Sequence, residues 1–233
     1  FFPNASFKLL IEDETGRIPV NRLVSGSAYN PLIRECLMRL LTGPYFRLEE
    51  RRAAELLDAI KDWIDADDEV TGAGAESAYY AKLERPYAAK NAPLDCIEEL
   101  LMVKGITREL YYGAADSPGL AQCLTVFGDG RININTAPKP VLRALAVNMT
   151  GDDADALDRY RRDPRNDLAD PLWYRKVSRL SGMTIPAGLT AVLSDTFRIT
   201  AVGLQGRAAE RITGVVKRGA DRRKVTLLSW KVE

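Results

Sequence analysis

Histidine is missing from this 233-residue chain. The side chain that most readily shuttles protons near neutral pH is therefore unavailable, and so is the commonest zinc ligand. Cysteine is scarce. Cys36, Cys96 and Cys123 have no zinc spacing, and their odd number allows one disulfide at most. Cys96 and Cys123 can pair if a helix at 94–103 packs on a strand at 120–127, whereas Cys36 lies on an apolar helix face and reads as core. No stretch approaches the roughly 18–20 apolar residues that span a bilayer, and no charged-then-apolar leader opens the chain. The start, Phe1-Phe2-Pro3, lacks an initiator Met, as expected of a cleaved or trimmed piece. An excess of one charge is also lacking. With 33 basic and 32 acidic residues the formal charge is +1, which gives no electrostatic case for a polyanionic partner. No Ser or Cys nucleophile has a recognisable base nearby, and no phosphate loop is present. Asp65 and Glu76 could form a carboxylate pair, but clustered tryptophans of a sugar cleft are absent. A non-enzyme is expected.

What is present is an ordinary globular balance, 46% hydrophobic and 28% charged, which argues against global disorder. The pattern runs β, then α, then β. Phe7, Leu9 and Ile11 alternate with Lys8 and Leu10, so residues 7–12 read as a strand. Asn30 caps a helix with Pro31 at its first position, and Leu32, Ile33, Cys36, Leu37, Leu40 and Leu41 form its apolar face. A second helix is predicted over 48–64, ending in Trp63-Ile64. Residues 65–93 read as a long structured loop. Asp95 is the expected cap of a helix over 96–103, and Thr107 of a short one after it. A strand at 120–127, a turn at Gly128-Asp129-Gly130 and an extended return over 131–135 follow. Thr136 is the expected cap of the next helix, with further helices at 152–162, 171–181 and 186–193. Phe197, Ile199 and Ala201 then alternate with polar neighbours, and strands at 209–217 and 224–232 complete an antiparallel meander. These strands can share one sheet with the strand near residue 10. That places residues 1–29 and 194–233 in a β framework and 30–193 in a helical insertion.

Several segments resemble one family. Glu12-Asp13-Glu14-Thr15-Gly16-Arg17-Ile18-Pro19-Val20-Asn21 is similar to an opening block of type II secretion pseudopilin K proteins, with Pro19 in place of the usual Asn. Asp62-Trp63-Ile64-Asp65-Ala66-Asp67-Asp68 with Gly74-Ala75-Glu76-Ser77-Ala78-Tyr79-Tyr80 resembles a second block. Tyr87 to Leu94, Glu98 to Ile106, and Arg131-Ile132-Asn133-Ile134-Asn135-Thr136-Ala137-Pro138 resemble later ones in the same order. The resemblance implies an α+β fold: a pilin-like antiparallel sheet carrying a large inserted helical domain of sterile-alpha-motif-like and helix-hairpin-helix-like units. It implies an N-terminal hydrophobic helix before Phe1, held in the inner membrane and then in a pseudopilus. It also implies a periplasmic location, assembly with minor pseudopilins I and J at the pseudopilus tip, and contact with secreted substrates.

Asp65, Asp67 and Asp68 follow a helix C-terminus, where the helix dipole disfavours negative charge. A divalent cation would offset it, and oxygen ligands suit calcium. Gly72 and Gly74 let the loop fold back so that Glu76 approaches the aspartates. The D-x-D-x-D-G spacing of an EF-hand is not kept, and from the pattern alone a solvated acidic loop is the simpler account. The family resemblance implies structural calcium, one or two ions, with Asp65, Asp67, Glu76 and Asn91 as ligands. Asp68 and Asp62 are left outside, Asp62 being assigned to the outer face of its helix.

Lys104-Gly105-Ile106 between helices is similar to the turn of DNA-binding helix-hairpin-helix modules, with Thr107 replacing the second Gly. A nucleic-acid-binding module is the alternative function. A scaffolding hairpin fits the near-zero charge better, and no nucleic-acid partner is expected. The basic cluster Lys217, Arg218, Arg222, Arg223 and Lys224 reads as a solvated hairpin tip.

Overall fold

The computed structural model describes residues 5–114, 117–221 and 223–232; Phe1-Phe2-Pro3 and Arg222 lie outside them. Strand β1 (Ala5–Asp13) pairs antiparallel with β2 (Thr196–Gln205), β2 with β3 (Ala208–Arg218), and β3 with β4 (Val225–Val232). Both ends of the chain therefore build one four-stranded sheet, as the alternating patterns predict. The register places Leu9 opposite Ala201, Ile11 opposite Ile199, and Gly214 opposite Trp230. Because paired residues share a face, Phe7, Leu9, Ile11, Ile199, Ile212, Trp230 and Val232 form one apolar surface. It is uncovered: Phe7 is 74% and Trp230 60% exposed.

The chain leaves the sheet after Asp13 and returns at Thr196, with a helical lobe between. Helix α1 (Pro31–Thr42) starts where Asn30 accepts a hydrogen bond from the Leu32 amide, and Pro31 lacks the amide that would otherwise be orphaned. Its buried face is Ile33, Cys36, Leu37, Leu40 and Leu41. Helix α2 (Glu50–Ile64) buries Ala53, Leu56, Leu57, Ile60 and Trp63 on one side, at the spacing a 3.6-residue period requires. Further helices follow: α3 (Ser77–Tyr80), α4 (Arg108–Tyr112, capped by Thr107), α5 (Leu120–Cys123), α6 (Lys139–Ala144) and α7 (Gly151–Arg162). Among the described residues no helix is long and apolar enough to cross a membrane.

Several expectations are corrected. Residues 120–127 are not a strand: Leu120–Cys123 is a helical turn, and only Leu124–Thr125 is extended, pairing parallel with Ile18–Pro19. The segment after Gly130 does not return along it; Ile132–Asn133 pairs with Thr190–Ala191 instead. The helix expected at 186–193 is replaced by that bridge. Residues 97–102, 173–176 and 178–180 are 3₁₀ rather than α-helical. Thr136 caps no helix, because its hydroxyl donates to Asp13 Oδ2 at 2.6 Å. Asp95 gives way to Cys96 as cap, with Glu99 Oε1 accepting from both backbone amides. All three cysteines are free; Cys96 is exposed while Cys123 is buried in the lobe, so the pairing left open by the sequence does not form. Cys36 is buried as expected, and burial pushes its thiol up to about 12.

Candidate metal centre

Helix α2 ends in a row of carboxylates. Asp58, Asp62 and Asp65 are spaced four and three apart, so they line one face. A strap of loop, residues 66–76, folds back over that face. The Ala73 amide donates to Asp58 Oδ2 (3.0 Å), and the Thr71 amide donates to Asp62 Oδ1 (3.0 Å). Lys61 pairs with Asp65 and donates to Thr71 Oγ1 at 2.7 Å. The approach is closer than any side chain would permit. A Cβ on Gly74 would lie 2.1 Å from Asp62 Oδ2, and Gly72 has φ +51° with Asp58 Oδ2 2.4 Å from where its Cβ would be. From outside, Lys104 Nζ donates to the carbonyls of Ala73 and Gly74, both at 3.0 Å, and sits 5.1 Å from the Tyr79 ring centre. Lys104 is thus committed to the loop, unlike the outward-facing hairpin of a DNA-binding module.

The strap brings Glu76 onto the helix end. One carboxylate oxygen each from Asp62, Asp65 and Glu76 lie within 4.8 Å of one another. All three residues are buried, Asp62 completely. Asp65 Oδ1, both Glu76 carboxylate oxygens and Asn91 Oδ1 are buried and have no hydrogen-bond donor. Asn91 holds φ +49°, a conformation asparagine tolerates better than most residues, and its Nδ2 donates to the Asp67 carbonyl at 2.7 Å. Orphaned buried oxygens cost about 1–3 kcal/mol each, more when charged. Three of them belong to Asp65 and Glu76, which with Asp62 make an all-oxygen group that fits a hard divalent cation.

Of the sequence-assigned ligands, Asp65 and Glu76 are brought together, and Asn91 presents a donorless oxygen. Asp67 is not among the three converging carboxylates, and its Oδ1 accepts from the Glu69 amide (3.0 Å) in a local turn. Asp62 does not lie on the outer helix face. It is buried at the centre of the group, one turn before Asp65. The signal available in the sequence was Gly74, whose lack of a side chain makes room for Asp62.

Without a cation the group is electrostatically frustrated. Burial first, then the charges of Asp62, Asp65, Asp68 and Asp67, push the Glu76 carboxyl from 4.5 up to about 8. Burial also raises Asp62. In the unfolded chain Glu76 loses its proton near 4.5, whereas in the ion-free fold it keeps it until about 8. Between those values the unfolded state binds fewer protons, so stability falls as pH rises. In excess chelator the melting temperature is therefore expected to be lower at pH 8 than at pH 5.5. A rise over that interval would contradict the assignment of these carboxylates as an uncompensated cluster.

An antiparallel sheet built from both chain ends, with a helical lobe spliced into it and a buried carboxylate cluster in the lobe, defines an α+β protein of the inserted-domain kind. Models of the family described as type II secretion system, protein K match residues 16–115 and 132–170. The type II secretion system protein K of Aeromonas hydrophila is 33% identical over 188 residues, 77% of this chain and 55% of that protein. Its Pseudomonas aeruginosa counterpart is 31% identical over 159 residues, 67% of this chain and 45% of that protein. The chain thus spans about half the length of the curated relatives it matches. A chain in the crystal structure of the GspK–GspI–GspJ complex of enterotoxigenic Escherichia coli shares the fold, with TM-score 0.76 and 21% identity. The match covers 100% of this chain and 81% of that one. The chain belongs to the type II secretion system protein K family.

Proposed function

We propose that this chain is the periplasmic part of a minor pseudopilin, a non-enzymatic subunit that assembles with the I and J pseudopilins to initiate or cap a secretion pseudopilus. The single observation that carries this reading is the bare apolar face of the sheet. Phe7, Leu9, Ile11, Leu227, Trp230 and Val232 are each more than half exposed. A contiguous apolar surface of this kind on one chain marks a face covered in the assembled state. A hydrophobic helix preceding Phe1, anchored in the inner membrane before assembly, is the element that fits it. The solved relative, whose complex contains GspI and GspJ, supports the choice of partners.

Within the lobe, Asp62, Asp65 and Glu76, with Asn91, would hold a structural calcium ion. The ion would supply the positive charge that the buried carboxylates lack and would pin a strap too polar to be held by packing. Secreted substrates would meet the lobe rather than the sheet.

The test of assembly is size-exclusion chromatography of this chain mixed with the I and J ectodomains of the same secretion system. Co-elution as a ternary complex is expected. A chain that stays monomeric with both partners present, at micromolar concentration and in calcium, would remove the proposal.

A further inference from the structure

The motif at residues 13–17 and the Asn133–Thr136 segment take no part in the metal centre, yet they meet at one place: the junction of sheet and lobe. The apolar core of the lobe runs from Ile18 to Leu189 and includes no residue of the four strands. Val215 is the one apolar side chain of the described sheet that is buried. Apart from Val215, which lines a small cavity with Ile97, Val126 and Phe127 of the lobe, the two bodies share no hydrophobic core. Two covalent crossings connect them, at residues 14–17 and 190–195, and the crossings touch, with Thr15 Oγ1 donating to Ser194 Oγ at 3.0 Å. Two adjacent crossings without a common core are the geometry of a hinge.

Polar contacts close that hinge. Glu14 is 1% exposed. Its Oε1 accepts from Arg198 Nη2 of the sheet (2.8 Å) and from Thr125 Oγ1 of the lobe (2.7 Å). Its Oε2 accepts from Arg198 Nε (2.9 Å) and from Arg17 Nη1 (2.5 Å). Beside it Asp13 Oδ2, at the end of β1, accepts from Asn133 Nδ2 (2.7 Å) and Thr136 Oγ1 (2.6 Å), both in the lobe. Gly16 permits the contact, since a Cβ there would stand 2.8 Å from Thr136 Oγ1 and 2.9 Å from the Thr136 carbonyl carbon. Charge-assisted, bidentate bonds of this type are directional as well as strong, whereas apolar packing is not directional.

We infer that Glu14 and Asp13 lock the orientation of the helical lobe on the sheet, and that without them the lobe swings about the paired crossings while both bodies stay folded.

The test is a spin-label distance measurement between exposed positions of the last strand and of the lobe. Labels are placed through Thr226→Cys and Arg165→Cys in a Cys96→Ser background, with Cys36 and Cys123 buried. One narrow distance distribution is expected in the otherwise unaltered chain. In Glu14→Ala the distribution should broaden at least twofold while the near-ultraviolet dichroism of the lobe tryptophans is retained. Unchanged width in Glu14→Ala would overturn the inference, as would a lowered melting temperature with no broadening. Should Glu14→Ala fail to fold, Arg198→Lys, which keeps the charge but loses the bidentate contact, and Thr125→Val take its place. Both should broaden the distribution, and a width unchanged in the two would equally overturn the lock.

Discussion

Removing calcium is expected to lower the melting temperature of this chain by about 10 °C, and restoring it to reverse the loss. An ion at 100 to 1,000 times its dissociation constant stabilises by about 2.7–4.1 kcal/mol, and each kcal/mol is worth roughly 2–4 °C in a domain of this size. The discriminating variant is Glu76→Gln. It keeps the shape of the side chain, removes one of the charges crowded with Asp62 and Asp65, and offers a neutral amide in place of a carboxylate. In chelator at pH 8, Glu76→Gln should match or exceed the stability of the unaltered chain, because the ion-free fold pushes that carboxyl up to about 8. In calcium the order should invert, since the variant gains little from the ion. Differential scanning calorimetry in both conditions reads the two effects. A melting temperature indifferent to chelator, or a Gln variant with the full calcium response, would show that the buried carboxylates serve some other end.

The second large effect is at Trp173. Its side chain is fully buried and stacks on Tyr160 with ring centres 5.5 Å apart. Its Nε1 donates to Asn135 Oδ1 at 2.7 Å, and Asn135 in turn donates to the Leu168 and Val192 carbonyls. Trp173→Ala should cost about 3–5 kcal/mol through lost burial and the cavity left behind, which is on the order of 10 °C of melting temperature. Trp173→Phe keeps much of the ring and loses the N–H, and should cost less, with about 1–3 kcal/mol from the acceptor left unsatisfied. Chemical denaturation in calcium separates the two. A Trp173→Ala variant within about 0.5 kcal/mol of the parent, the range of ordinary surface substitutions, would mean that this ring does not organise the C-terminal half of the lobe.

Much of the fold was readable from local pattern. Helices α1 and α2 follow from apolar residues at helical spacing and, for α1, from Asn30-Pro31 at its start. The four strands follow from alternation at Phe7, Leu9 and Ile11 and again from Phe197 onward. Those signals survive because one face of each helix is buried, and because alternation is a property of the strand itself. The errors fall where an element is too short to own a period. Leu120–Cys123 is a single turn and Ile132–Asn133 a two-residue bridge, and the partners of both are set by packing from far along the chain. Thr136 has the residue type of a helix cap, and a carboxylate 123 positions away took its hydroxyl instead.

The candidate site divides in the same way. The sequence by itself determined that the chain is a histidine-free α+β protein with an acidic loop after a helix, and through the family resemblance it pointed to Asp65, Asp67, Glu76 and Asn91. Residue type and neighbouring glycines mark an acidic loop able to fold back, and the family resemblance supplied the choice of ligands. Only the tertiary structure decided that Asp62 faces inward and Asp67 stands outside the carboxylate trio, that Cys96 and Cys123 stay apart, and that Glu14 and Asp13 bridge the sheet to a lobe whose core excludes the four strands. Each of these depends on which group lies opposite in space, and a carboxylate is paired, buried or exposed according to partners that its own stretch of chain does not contain.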